Sequence, residues 1–118
     1  GHPVAFLRAD LARRRVVTCA DAMDAPDGRV LTVAGLVLPR QRPGSAKGVF
    51  FVTLEDETGV ANVIVWPKLY ERQRRVLLGA RLLAVRGRVQ REGSVVHLIA
   101  RELRNFVGEA HGVRSPHL

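Results

Sequence analysis

The chain has 118 residues and a formal charge of +8, from 19 Lys plus Arg against 11 Asp plus Glu. This length suits one compact domain and leaves too little chain for a second domain of ordinary size. A hydrophobic share of 47% and a charged share of 25% are close to globular averages, which argues against a disordered or fibrous chain. The sequence therefore predicts one folded domain and argues against a two-domain enzyme.

Cysteine content and hydropathy bear on the compartment. Because Cys19 is the one cysteine, an internal disulfide and a multi-cysteine zinc site are both excluded. No apolar run approaches the ~18 residues of a membrane span, and the first residues lack the basic-then-apolar order of a signal peptide. We expect a cytoplasmic protein with no membrane partner, and the start without an initiator Met predicts a fragment or a processed chain.

The positive charge is concentrated in one stretch of the chain. Residues 68–91 hold eight basic side chains against Glu71 alone, whereas the other segments are nearly balanced. Such a patch attracts polyanions, chiefly nucleic-acid phosphates, because binding releases counterions. A solvated surface without a ligand is the alternative, and charge alone does not choose between them.

The N-terminal part predicts short helices. Pro3 suits a first helical turn, and the apolar residues of Val4–Leu11 have helical spacing. Thr18 followed by Asp21 resembles a capping box, which predicts a second helical turn there. The first 28 residues are therefore predicted to be a helical extension.

From residue 29 onward, short runs rich in β-branched residues alternate with turn signals. Pro67 predicts the start of a helix after the third strand, and Gly79 suits the position after its end. Strands are predicted over residues 30–37, 49–54, 60–66, 81–90 and 95–103, with hairpin turns at 55–59 and 91–94.

This order of elements predicts the fold class. Five short strands with a helix between the third and fourth match an OB-fold, a Greek-key barrel that binds oligonucleotides. A small SH3-like barrel is the nearest alternative, but it lacks a helix of about three turns at that position. We therefore predict an all-β, five-stranded OB-fold barrel over residues 29–106, preceded by the extension 1–28 and followed by a flexible tail, 107–118.

Alternation along the second and third strands separates a core face from an outer face. Phe51 and Thr53 point away from the core set that begins at Phe50, and the same alternation puts Asn62 and Trp66 beside them. Aromatic rings stack bases, and hydroxyl and amide groups bond to base edges or sugar. These four residues are the predicted contacts to bases, and the alternative is that the two aromatic rings pack under the leading helical segment or the long loop.

Basic side chains are predicted on both rims of this face. The long loop after the first strand contributes Arg40, Arg42 and Lys47 with no acidic residue, and the last hairpin contributes Arg88 and Arg91. These five side chains are predicted to hold phosphates. The arginines of the predicted helix are ranked lower because they lie farther from the groove.

No other chemistry is indicated. The four histidines have no metal-ligand spacing with Cys19 or with a carboxylate cluster, and His97 is predicted to be a partly buried structural residue. Residues 44–48 lack the glycine spacing and the Lys-Ser/Thr ending of a phosphate loop. The acidic turn Glu55–Glu57 is predicted to be solvated. We therefore predict no metal, no cofactor and no catalytic residue.

Four segments carry a family resemblance. Val33–Val37, Arg40–Pro43, Phe51–Gly59 and Asn62–Pro67 resemble the C-terminal OB domain of C-family bacterial DNA polymerases, and are most similar to the error-prone, damage-inducible branch (ImuC type) related to the polymerase III alpha subunit. The resemblance implies a fragment of a DNA-directed DNA polymerase for translesion synthesis, whose catalytic residues lie in another domain. The partners it implies are single-stranded DNA, the rest of the polymerase chain, the sliding clamp and accessory mutagenesis proteins, one Y-family-like and one RecA-related, at the nucleoid when active.

The second and third strands also resemble the anticodon-binding OB domain of class II tRNA synthetases. In that domain the positions matching Phe51 and Asn62 contact bases. The main prediction is binding of single-stranded template DNA without strong sequence preference. A docking module for accessory proteins and a tRNA anticodon-binding domain are the alternatives.

Overall fold

The computed structural model describes residues 1–39 and 48–106. Arg40, Arg42 and Lys47 of the predicted long loop, and the predicted tail 107–118, lie outside the described residues. The elements are a 3₁₀ helix Pro3–Leu7, α1 Arg8–Arg13, β1 Val16–Val17, α2 Cys19–Asp24, β2 Val30–Val37, β3 Phe50–Asp56, β4 Gly59–Val65, α3 Pro67–Gly79, β5 Leu82–Glu92 and β6 Val95–Asn105. Within the described ranges, no helix is both long and apolar enough to cross a membrane.

Five of the strands close into a barrel. The six-stranded sheet has the order β1-β2-β3-β4-β6-β5, and β2 also pairs with β5, which joins the two ends of the five-stranded part. The helix α3 lies between the third and fourth strands of this barrel, so the predicted barrel and its helix are confirmed. The added strand β1 runs parallel to β2, with Val16 opposite Thr32. Its two residues are too few to show the alternation by which sequence reveals a strand.

The inward side chains of β3 and β4 form the centre of the core, as the alternation predicts. The inward set is buried: Phe50, Val52, Leu54, Ala61, Val63 and Val65. The helix α3 covers one end of the barrel, where the rings of Phe50 and Tyr70 meet edge to face with centroids 4.7 Å apart. Gln73 interrupts this helix with a φ of −126°, and its side-chain amide bonds to both the N–H and the carbonyl of Leu103 in β6. These two bonds fix the helix to the barrel wall.

The N-terminal helices pack on the outside of the barrel over β2 and β5. Ala34 and Ala84 oppose each other in these strands, and their small side chains leave room for the extension. The extension therefore covers this part of the barrel and leaves Phe51 half-exposed. This second apolar cluster consists of Val4, Leu7, Leu11, Val16, Ala34, Ala84 and Phe106.

The remaining helix, α2, begins where the sequence predicts it. The hydroxyl oxygen of Thr18 accepts a hydrogen bond of 3.0 Å from the N–H of Asp21, which satisfies one of the free donors of the first turn. Cys19 and Ala22 of this helix are fully buried in the main core. The extension therefore contributes to both apolar clusters.

Two glycines allow the strands to curve closely past each other. A Cβ atom at Gly35 would lie 2.8 Å from the backbone oxygen of Glu55, and one at Gly87 would clash with the backbone oxygen of Ile99. Gly87 also adjoins the register shift between β5 and β6, which begins after Arg86. A side chain at either position would push neighbouring strands apart.

Candidate nucleic-acid interface

The register of β3 and β4 brings three of the predicted base contacts together. Phe51 lies opposite Ile64, and Thr53 lies opposite Asn62. Directly opposed residues on one face have Cβ atoms ~4.5–5.5 Å apart, so these side chains form one patch. Phe51 is 43% exposed although it lies between buried neighbours, because its ring points away from the barrel interior. The patch is therefore open to solvent on the outer face.

This patch continues across two more strands. Ile64 lies beside Ile99 of β6, and Ile99 lies opposite Arg88 of β5. We call the cross-strand series Phe51, Ile64, Ile99 and Arg88 the binding row. At ~4.8 Å per strand, the exposed guanidinium end of the row is on the order of 14 Å from the aromatic end along the curved sheet. The ring of Phe51 and the guanidinium of Arg88 are therefore exposed at the two ends of the row, whereas Ile64 is buried and Ile99 half-buried between them.

Sequence reasoning assigns His97 a structural role and does not single out Gln90, but both lie beside this row. The ring of His97 is half-buried, and its centroid is 6.2 Å from that of Phe51. In β5, Gln90 is exposed and lies opposite His97. The alternation of β6 is the signal that could have found His97, because His97 and Ile99 flank the buried Leu98.

Trp66 lies at the edge of the patch. It follows the last pair of β3 and β4, which joins Phe50 to Val65, and it caps the start of α3. Its side chain is 50% exposed. The ring is therefore accessible, one residue beyond the paired strands.

Arg91 has a different place from the rim position that the sequence suggests. Its guanidinium donates hydrogen bonds of 2.6 and 2.7 Å to the carbonyl oxygens of Met23 and Ala25, and its backbone N–H donates to the carboxylate of Asp27. These bonds tie the last hairpin to the chain that follows α2. Because its guanidinium is engaged within the protein, we leave Arg91 out of the interface.

The prediction that the acidic turn is solvated is wrong for Asp56, which is buried. Its carboxylate accepts hydrogen bonds from the N–H of Cys19 at 2.8 Å and from Arg8 at 3.0 Å, and from both the N–H and the hydroxyl of Thr58. Burial alone would raise the pKa of Asp56, but the hydrogen bonds from Thr58 and Cys19 hold that pKa below its ordinary value. Two of the four donors come from the distant extension, and local sequence does not reveal them.

The other two acids of this turn also meet basic side chains of the extension. Glu57 accepts two hydrogen bonds from the guanidinium of Arg8, at 2.7 and 2.8 Å, and these bonds lower the pKa of Glu57. Glu55 lies 3.1 Å from the imidazole of His2. The negative charge of the turn is thus faced by basic groups at the end of the hairpin away from Phe51. Among the described residues, no three His, Cys, Asp or Glu side chains gather where they could hold a metal ion.

The fold agrees with what this chain is similar to. Residues 31–106 match the family described as the OB-fold nucleic acid binding domain. The chain belongs to this family. An asparaginyl-tRNA synthetase from Pyrococcus horikoshii has the same fold: it superposes with a TM-score of 0.62 at 20% identity, over 86% of this chain and 26% of the synthetase.

Two curated relatives of this OB-fold domain are error-prone DNA polymerases. The chain is 68% identical over 102 residues to error-prone DNA polymerase 2 of Rhizobium meliloti (strain 1021), covering 86% of this chain and 9% of the relative. It is 60% identical over 112 residues to error-prone DNA polymerase of Allorhizobium ampelinum (strain ATCC BAA-846 / DSM 112012 / S4), covering 95% of this chain and 10% of the relative. The chain thus spans about a tenth of the length of these relatives.

Proposed function

We propose that this OB-fold domain binds single-stranded DNA across the outer face of β3, β4, β6 and β5. The observation that carries the proposal is the binding row, in which a half-exposed aromatic ring and an exposed arginine lie on one face, with the buried Ile64 and the half-buried Ile99 between them. Single strands present unstacked bases and a charged backbone, and this row offers a partner to each.

The aromatic end of the row is the proposed base contact. The ring of Phe51 stacks a base, and Thr53 and Asn62 bond to base edges or sugar beside it. Stacking tolerates any base because every base has a π-face, so we expect little sequence preference. His97 adds a second ring next to the first.

Phosphates are the proposed partners of the basic side chains. Arg88 is exposed at the far end of the binding row, where it is available to the backbone of a bound strand. Arg40, Arg42 and Lys47 are included on the sequence alone, as residues of the predicted long loop. Trp66 is proposed to stack a further base at the start of α3.

The parent protein is proposed to be an error-prone DNA polymerase that copies past lesions in DNA damage-induced mutagenesis. This part of the proposal rests on the two polymerase relatives, which share 60–68% of aligned residues with this chain. The domain would hold the template for a catalytic centre in another part of the polymerase. The sliding clamp and accessory mutagenesis proteins are proposed partners of that whole polymerase, acting in the cytoplasm at the nucleoid.

Fluorescence anisotropy with labelled single-stranded DNA tests the domain's part of the proposal. Phe51→Ala is matched by Val60→Ala, since both side chains are 43% exposed on the outer face of one hairpin and Val60 lies opposite Glu55 near the turn. We expect Phe51→Ala to weaken binding roughly 5- to 150-fold, the loss of one stacked base, and to keep the salt dependence. Val60→Ala should bind as the wild type does.

Two results would contradict the proposal. One is equal binding by the two variants, and the other is a wild-type domain that binds no single strand at low salt. An RNA oligonucleotide of the same sequence separates template DNA from an anticodon-type ligand, since the 2′-hydroxyl distinguishes the two. Preference for RNA would keep the interface and overturn the DNA assignment.

A further inference from the structure

A second basic surface lies on the outside of the barrel, around the pair Thr32 and Arg86 of β2 and β5. Two cavities, of about 150 and about 710 Å³, share the side chains of Arg14, Thr32 and Arg86. Arg15 and Arg29 also line the larger cavity. We call the four arginines 14, 15, 29 and 86 the arginine groove.

Three arginines of the groove keep their positive charge free for a ligand. Within the described part of the chain, the guanidinium groups of Arg15, Arg29 and Arg86 have no ion pair. Arg14 differs, because it lies 3.4 Å from the carboxylate of Asp10 and stacks over the ring of Phe106 at 5.5 Å. Asp10 and Phe106 thus hold Arg14 in place, whereas the other three arginines stay available.

Acidic side chains also line these cavities, and they are fewer. Asp21 and Asp24 of α2 line the larger cavity, and Glu102 lines the smaller one. Glu102 is paired with Arg104 at 3.2 Å, which offsets its charge. The basic groups therefore outnumber the acidic ones, and the groove favours an anion.

The groove adjoins the end of the binding row. Arg88, which ends the row, lies opposite Val30 of β2, and Val30 lines the larger cavity. Arg86 is two residues before Arg88 in β5, so both side chains point to the same outer side. A strand that crosses the row from Phe51 toward Arg88 therefore meets the groove next.

We propose that the arginine groove binds the phosphate backbone of the single strand that crosses the binding row. This proposal rests on the proposed function, and it extends the binding site to the N-terminal extension and β2. Guanidinium groups match phosphate geometry and hold it through paired hydrogen bonds. Because the groove presents arginines and no exposed aromatic ring, it adds affinity and length to the site without reading bases.

Oligothymidylates of two lengths separate the groove from the row. A short one of ~4 nucleotides covers the row, and a long one of ~12 reaches the groove, within the range that OB-folds bind. The test variant is Arg29→Gln/Arg86→Gln. Its control is Arg72→Gln/Arg75→Gln, which removes the same charge from exposed positions of α3 that do not line the groove.

We expect the groove variant to bind the long oligonucleotide roughly tenfold more weakly at low salt, with a salt slope lower by about 1.4 for two lost phosphate contacts. Its affinity for the short oligonucleotide should match that of the control. Arg15→Gln alone should give about half the change in slope, which tests the extension with a single substitution. Thermal unfolding of each variant checks that the domain is folded.

Other outcomes overturn the proposal in distinguishable ways. Equal binding of the long oligonucleotide by the groove variant and its control means that the strand does not enter the groove. A loss for a duplex hairpin but not for the long single strand assigns the groove to duplex DNA. If the wild type binds neither length, or if Phe51→Ala changes nothing, the proposed function itself has failed.

Discussion

The two ends of the β3–β4 hairpin differ sharply in how their polar and aromatic groups are used. At the turn, the N-terminal extension closes over the hairpin, and Asp56 receives four hydrogen bonds out of contact with water. At the opposite end, Phe51 and Trp66 are about half-exposed. One end of the hairpin therefore anchors the fold, and the other exposes two aromatic rings to solvent.

The two ends of the hairpin also differ in charge. Carboxylates near a phosphate-binding surface would repel the ligand, and the three acids of this hairpin are held at the turn end beside His2 and Arg8. Exposed arginines such as Arg88 lie on the outer face of the barrel instead. Under the proposed function, the turn end would contribute to binding only by keeping negative charge away from the strand.

The reactivity of the Cys19 thiol reports how firmly the N-terminal extension packs over the turn end of the β3–β4 hairpin, which we call the closed end. Burial raises the pKa of this thiol to about 12, and the neighbouring carboxylate of Asp56 acts in the same direction. Since only the thiolate is nucleophilic, we expect alkylation near pH 8 to be about 1000-fold slower than for a thiol of ordinary pKa. Unfolding in denaturant should restore the ordinary rate. Fast alkylation of the native domain would mean that the extension leaves the hairpin.

Removal of the buried carboxylate should be the most destabilising change at the closed end. Asp56→Ala leaves the N–H of Cys19, both donors of Thr58 and one N–H of the Arg8 guanidinium without their acceptor. We expect a loss of about 2–4 kcal/mol in the free energy of unfolding, from urea denaturation.

Glu57→Gln is the matched control for that change. Glu57 bonds to the same arginine but is partly solvated, so we expect a loss below about 1 kcal/mol. Equal losses for the two variants would show that burial of the carboxylate adds nothing, and the distinction between the two ends would fail.

The pH dependence of stability should report the same carboxylate. The pKa of Asp56 is lower in the folded state than its ordinary value of about 3.9, so its ionised form stabilises the fold. This contribution is complete above that ordinary value and is lost as the pH falls through the folded-state pKa. Urea midpoints from about pH 7 to about pH 2 should therefore decrease at the acidic end, and less steeply in Asp56→Asn. A variant with the wild-type slope would assign the effect to other groups.

The smallest expected effect concerns Glu55, the acid on the same outer side as Phe51 and Thr53. Its pairing with His2 offsets its charge only in part, because both groups reach solvent. We expect Glu55→Gln to tighten binding of single-stranded DNA by about 2-fold at low salt, and the gain to vanish at high salt. Weaker binding would mean that this carboxylate contacts the strand.

Local sequence accounts for the elements and for the faces of the strands. A β-strand alternates whatever surrounds it, so the pattern around Phe51 and Asn62 identified the outer face of the hairpin. The cap at Thr18 and the start of α3 at Pro67 also follow from neighbouring residues alone. These features depend on bonds within a few residues of chain.

Closure of the barrel and the path of the N-terminal extension determine the features that local sequence does not predict. Asp56 is buried because the chain around Cys19 returns to it across 37 residues, and Arg91 reaches carbonyl oxygens 66 and 68 residues away. The position of Arg88 on a rim of the face that carries Phe51 was predicted, but its place in one row with Phe51 depends on the parallel pairing of β4 with β6. Contacts between distant segments form only in the folded chain, so tertiary structure alone determined which charged groups anchor the protein and which stay exposed.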